Sequence, residues 1–472
     1  MLKTRLKRDL TQGPIFTSLL TFVIPIVLTG ILQVAYNMAD NIVVGQFSGD
    51  PDALAAVGST ASLTTFFTNL FLGIAAGAGV VIAQFYGAKQ YDDVSRATHT
   101  AIGFSFVFGI AITAIGMALV YPLLKVMGTQ DDLMDKAVLY AMIICAGFPA
   151  SSIYNFGASV LRSIGDSKTP LFILASTGIV NVVFNLVFVI GFGMSVAGVA
   201  IATIIAQYLS AIAVMWVLVK RRGQCYSVNL KRLKIERLLL SRILRIGVPI
   251  AVQSSLFSIS NIIVTSSVNT FSKPVISAKT IAFNIEGITY TAMNGFSHAA
   301  MTFIGQNYGA KKYRRMNRIF IYSLIQVMAV GILVSQTEIF FGRELSMLYI
   351  NADDPNKEAV IAAVLEIFKV MLATYFLCGM MEVLSGILKG LGYATISVVA
   401  SILGLVVRVF WLLFIVGKSG KFHTVFGLCL SYTISWLVTI ALLLLCCAYV
   451  WHKIGIWRGA KEEKMQNKEN SI

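Results

Sequence analysis

The stretch "QFYGAKQYDD" runs from Gln84 to Asp93, and "QNYGAKKYRR" runs from Gln306 to Arg315. Two near-copies of one motif in a single chain point to an internal duplication, and the likeness spreads outward from them. "FVIPIVLTGILQVAYNMADNIVV" from Phe22 resembles "IGVPIAVQSSLFSISNIIVTSS" from Ile246, which pairs Pro25 with Pro249 and Asn37 with Asn261. "NFGASVLRSIGDSKT" from Asn155 resembles "EVLSGILKGLGYAT" from Glu382. Each copy of the motif follows a long apolar run and ends in a charged loop.

Composition says what those runs are. Of 472 residues, 57% are hydrophobic and only 13% charged, with a mean hydropathy of +0.78. So little charge does not cover the surface of a soluble protein. The apolar runs approach the roughly 20 residues that a helix needs to cross a bilayer. Twelve spans are expected, at 16–44, 56–83, 97–122, 137–160, 170–190, 196–217, 244–267, 279–305, 318–340, 360–388, 394–416 and 424–450. The first is too long for the core of a signal peptide and is read as a retained helix.

The duplication then gives the architecture: an all-α integral membrane protein, with twelve transmembrane helices in two six-helix lobes related by pseudo-two-fold symmetry along the membrane normal. The N-lobe is 16–217 and the C-lobe 244–450. A basic cytoplasmic linker, 218–243, joins them, between a cytoplasmic segment 1–15 and a charged cytoplasmic tail 451–472. With the N-terminus inside, most of the 38 Lys and Arg fall in inner segments, a strong positive-inside bias. The net charge of +16 is thus accounted for by basic loops facing an anionic leaflet, with no nucleic acid partner. Both motif copies face the cytoplasm. Gly87 and Gly309 are expected to end their helices at positive φ, with Lys89, Lys311 and Lys312 favouring the helix C-terminus and the inner leaflet.

Enzyme chemistry finds no purchase. There is no P-loop, no H-E-x-x-H and no G-x-S-x-G. The six cysteines form no C-x-x-C, and the four histidines no metal-ligand pattern. Parallel repeats of membrane helices are instead a common plan for secondary transporters.

Polar residues inside the spans mark the candidate site. Gln33, Asn37 and Asp40 sit at i, i+4 and i+7 on one face of the first helix. An Asp at the centre of a span costs about 2.5–3.5 kcal/mol on insertion scales; Asp40 lies near the outer end of its span, where the cost is lower and the side chain can also reach external water. Asn181 and Asn185 are i, i+4 on the fifth span, and Thr203 lies on the sixth. At a rise of about 1.5 Å per residue, Asp40 and these three fall at one depth. A carboxylate with amide and hydroxyl oxygens suits a hard monovalent cation, and the carboxylate can instead take a proton.

The chain resembles the multidrug and toxic compound extrusion (MATE) family. The matching stretches are "ADNIVVGQFSGDPDALAAVG", "AQFYGAKQYDD", "LRSIGDSKTP", "NVVFNLVFVIGFGMSVAGVAIAT" and "GQNYGAKKYRR". The resemblance implies alternating access and export of organic cations or amphipathic drugs, driven by inward Na⁺ or H⁺. It places Asp40, Asn181 and Thr203 at the family's N-lobe cation site. Asn185 falls where many members carry a second Asp; it keeps an oxygen but cannot titrate.

In the C-lobe the position matching Asp40 is Val264. The acids there are Glu286, in the eighth span, with Arg408 as a partner, and Glu382, read as a residue of the cytoplasmic mouth. Gln33, Asn37, Asn155, Glu286 and Met293 are the candidates to contact the transported molecule. "GIAAGAG", Gly73 to Gly79, is read as a close helix approach. No cofactor is implied beyond the coupling ion, Na⁺ or H⁺, with Asp40 as the Na⁺ position. The expected partners are small-molecule drugs and membrane lipids, and the expected state is a monomer in the plasma or inner membrane. The competing reading is a lipid-linked oligosaccharide flippase of the same wider superfamily, whose cavity calls for more buried cations than Arg408 and Lys369.

Overall fold

The computed structural model describes residues 9–268, 270–350, 355–418, 422–460 and 463. The basic residues Lys3, Arg5, Lys7 and Arg8, and half of the charged tail expected over 451–472, lie outside the described residues. Every regular element among the described residues is helical. The first repeat comprises α1 (Ile15–Phe47), α2 (Ala53–Gly87), α3 (Tyr91–Val126), α4 (Asp131–Ala146), α5 (Phe148–Ser163), α6 (Lys168–Leu186) and α7 (Val196–Lys220). The second comprises α8 (Arg237–Val268), α9 (Lys273–Gly309), α10 (Tyr313–Phe340), α11 (Gly342–Met347), α12 (Lys357–Met371), α13 (Tyr375–Gly390), α14 (Ala394–Phe410) and α15 (Val425–Ile454).

Among the described residues, ten helices are long and apolar enough to cross a membrane, or eleven if α4 and α5, bent by 46°, count as one span. The expected span 279–305 is α9, which is 37 residues long but not among them. Its polar residues explain this. Lys279, Glu286, Thr289 and Gln306 lower its hydropathy and are all buried, while Phe283, Ile288 and Tyr290 are exposed apolar side chains of the same helix. Large apolar side chains such as Phe172, Ile179, Ile212, Leu333 and Leu445 are exposed on other helices, as lipid-facing positions require. Twelve helices in two lobes is the arrangement these elements fit.

The chain divides into two compact units. Unit 1 takes Leu28–Val252, and unit 2 takes Leu10–Val27 and the chain from Gln253 onward. The first helix of each repeat is therefore shared out, with α1 divided after Val27 and α8 after Val252.

In unit 1, α2 is the central helix. Its small residues let backbones approach. A Cβ on Gly73 would stand 2.5 Å from the backbone of Ala251 on α8, and one on Gly77 would stand 2.6 Å from the Gly247 nitrogen. Gly79 meets Ser159 of α5, whose hydroxyl donates to the Ala75 carbonyl at 2.6 Å. The small-residue stretch is thus a packing surface. In unit 2, α9 plays the same part against α13, where Gly386 meets Ser297 and Gly390 meets Met301.

The repeats agree in detail. The fourth span is broken in both: at Gly147 between α4 and α5, and over Leu372–Thr374 between α12 and α13. The fifth ends in a π-helical turn in both, Val187–Gly191 and Trp411–Val416. Gly165 and Gly392 both take positive φ after the fourth.

One expectation about the repeated motif is corrected. Gly87 and Gly309 remain helical, and the left-handed residue is the lysine two places on, Lys89 at φ 58° and Lys311 at φ 55°. The hydrogen bonds explain the shift. Lys89 N donates to Tyr86 O and Gln90 N to Phe85 O, and Lys311 N and Lys312 N repeat the pattern on Tyr308 and Asn307. This is the Schellman closure with lysine in the place usually taken by glycine.

The motif also has a job. Gln84 Oε1 accepts from Arg242 Nη2 at 2.6 Å in unit 1, and Gln306 Oε1 accepts from Leu10 N at 3.2 Å in unit 2. Each motif glutamine therefore holds the start of the other repeat's first helix.

Candidate functional site

The site is built in unit 1 from α1, α6 and α7. Tyr36 fixes α1 on α6. Its hydroxyl lies 3.3 Å from Leu174 O and 3.2 Å from Ala175 O, and its ring lies over Gly178, which leaves no room for a Cβ. One turn further along α1, Asp40 turns inward and is only 8% exposed.

Asp40 meets the three residues expected to join it. Its Oδ1 accepts from Asn185 Nδ2, and its Oδ2 accepts from Thr203 Oγ1 at 3.3 Å. Asn181 Nδ2 donates to the same Thr203 hydroxyl at 3.4 Å. The i, i+4 spacing of the two asparagines puts both on one face of α6. Among the described residues no Lys or Arg pairs with Asp40.

A buried carboxylate without a counter-ion is costly, and a cation or a proton removes the cost. The donor set fits a small hard cation. Asp40 brings two oxygens and Thr203 one. The side-chain oxygens of Asn181 and Asn185 are buried and without a hydrogen-bond partner. Turning either amide over would replace a donor aimed at the cluster by an oxygen. Oxygen-rich sets of this kind suit hard cations.

The other candidates are dispersed. Gln33 and Asn37 share the Asp40 helix but are exposed. Asn155, on α5, donates to Ser151 O at 2.8 Å and is spent on its own helix. In unit 2, Glu286 is buried, and the cation beside it is Lys279, at 3.7 Å, rather than the expected Arg408. Arg408 donates to Ser435 Oγ at 3.1 and 2.9 Å and lies 4.4 Å over the Tyr432 ring. Met293 is wholly buried, its sulfur seated against Gly379 and Gly331. Glu382 is buried rather than open to a mouth, and its backbone oxygen accepts from Ser297.

Sequence reading passed over Tyr36, Gly178 and Glu338. The rule that flagged Asp40, an acid inside an apolar span, also applies to Glu338 on α10.

Comparison with known proteins adds an independent line. The sequence model of the MatE family matches residues 25–187 and 249–413, once in each repeat. The chain is 25% identical over 458 residues to "Probable multidrug resistance protein YoeA" of Bacillus subtilis, covering 95% of this chain and 96% of that one. It is 21% identical over 394 residues to "Multidrug export protein MepA" of Staphylococcus aureus, covering 83% and 85%. Among solved structures it matches "Outward-facing conformation of a multidrug resistance MATE family transporter of the MOP superfamily", with a TM-score of 0.86 at 21% identity, over 97% of this chain and 100% of that one.

Proposed function

The chain belongs to the MatE family of transporters, and from that premise we propose that it is a secondary active multidrug efflux antiporter. It exports organic cations or amphipathic drugs in exchange for Na⁺ or H⁺ by alternating access. The observation that carries this reading is Asp40: buried, without a basic partner, and surrounded by Thr203, Asn181 and Asn185. The drug class is carried over from the relatives named for multidrug resistance and export.

Asp40 supplies the exchange. An inward-moving cation or proton neutralises the carboxylate and allows α1, α6 and α7 to stay packed around it. Its release restores a negative charge that water or an organic cation must meet. Gln33 and Asn37, exposed on the same helix, give an amphipathic cation polar contacts on its approach. Drug and ion then compete for one carboxylate, which is the condition for antiport. The unpartnered oxygens of Asn181 and Asn185 favour Na⁺ over H⁺ as the ion.

The protein acts as a monomer in the plasma or inner membrane, with both termini cytoplasmic, as the basic bias of the inner loops implies. Purified protein in vesicles with an imposed Na⁺ or H⁺ gradient tests the function. Accumulation of a fluorescent organic cation against its gradient, abolished when the ion gradient is collapsed, is expected. Movement of the dye that ignores both gradients contradicts it.

A further inference from the structure

We propose that unit 2 contains a reversible proton site at Glu338, separate from Asp40. Glu286 and Thr289 are i, i+3 on α9, and Ser335 and Glu338 are i, i+3 on α10, so each pair shares one helix face. Glu338 is 6% exposed, and neither of its carboxylate oxygens has a hydrogen-bond partner. Thr289 faces it, and Glu286 is the charged group whose field reaches it. The hydroxyls of Thr289 and Ser335, and Glu286 Oε2, are likewise buried without partners.

The positive charges of this region lie with Glu286. Lys279 stands 3.7 Å from its Oε1, and the field of Arg408 reaches it, while the Arg408 guanidinium donates to Ser435. Glu338 is thus left with a like charge, no cation beside it, and the Thr289 hydroxyl facing it without a formed hydrogen bond. An ionised carboxylate in that position has neither hydration nor counter-ion, so the group that fits is the neutral acid. The proton comes from water and forms one O–H bond on Glu338, which supplies a donor for the Thr289 oxygen. The same bond breaks, returning the proton to water, when water reaches the site. Lys279 stands beside Glu286 and Arg408 is bonded to Ser435, so no cation lies at the Glu338 carboxylate itself, and a proton there neutralises it with no metal ion required.

This site does not depend on Asp40 being the coupling residue. The test is infrared spectroscopy of the reconstituted full chain, which reads the protonated carboxyl band directly. At neutral pH the wild type is expected to show a carboxyl band that Glu338→Gln loses and Asp40→Asn keeps. A Glu338→Gln spectrum identical to wild type overturns the proposal, as does loss of the band on adding Na⁺ at constant pH. Failure of Glu338→Gln to fold also overturns it, because glutamine has the shape and charge of the neutral acid.

Discussion

Asp40 Oδ2 accepts a hydrogen bond from Thr203 Oγ1 at 3.3 Å, joining α1 to α7 across residues far apart in the chain. The hydroxyl is shared, since Asn181 Nδ2 donates to the same oxygen at 3.4 Å. Thr203→Val keeps the shape and removes the oxygen. A hydrogen bond to a charged group contributes about 1.5–3 kcal/mol. The cation concentration for half-maximal efflux should therefore rise about tenfold or more, with folding little changed. An unchanged concentration would remove Thr203 from the site.

Gly178 sets the position of α1. A methyl group there meets the Tyr36 ring and drives its hydroxyl from the Leu174 and Ala175 carbonyls. Gly178→Ala should cost about 1–3 kcal/mol, the usual range for overpacking, and weaken coupled efflux with it. Tyr36→Phe keeps the ring and should be milder, about 1 kcal/mol. Thermal unfolding in detergent gives the ranking, and a Gly178→Ala protein as stable as wild type contradicts the docking of α1 on α6.

The α1–α2 connection of unit 1 should loosen in acid. Asp50 lies between α1 and α2, with Lys136 Nζ at 2.7 Å and the Ser195 hydroxyl at 3.1 Å. The hydrogen bond from Lys136 is the main cause that holds its carboxyl below the ordinary value. A depressed folded value means that the stabilisation is present above the unfolded carboxylate value and is lost as pH falls through the folded one. Asp50→Asn should be less stable than wild type at neutral pH, and the gap should close in acid below the carboxylate range. A gap that stays constant with pH rules this out.

Lys89 and Lys311 hold a conformation that costs a residue with a Cβ about 1–2 kcal/mol. Lys89→Gly and Lys311→Gly should each raise thermal stability by roughly 1 kcal/mol, less the added freedom of the unfolded chain. Loss of stability in both variants would show that the lysine side chains hold the closure.

The duplication was legible because the motif, the matched prolines and the span order all repeat in the sequence. The Asp40 cluster was legible because polar residues in apolar spans are few, and helical rise places them at one depth. Other features depend on packing that no local pattern carries. The division of α1 after Val27 and of α8 after Val252 is one. Glycine is the usual residue of the left-handed position, which is why the sequence points to Gly87 and Gly309, but the hydrogen-bond register places the turn two residues later. Met293 shares a face with Glu286, yet glycines on α10 and α13 open a notch that swallows it. Lys279 and Glu286 are i, i+7 on α9, but Lys279 stands at the very start of the expected span 279–305, where a basic residue needs no partner, so its pairing shows only in the packed structure.

The proposed coupling rests on the Asp40 carboxylate. Asp40→Asn keeps the size and an acceptor oxygen but cannot carry the charge. In vesicles with an imposed ion gradient, the correctly inserted variant is predicted to fold and to lose gradient-driven efflux of an organic cation. Wild-type coupled efflux by that variant would contradict the assignment of Asp40 as the coupling residue.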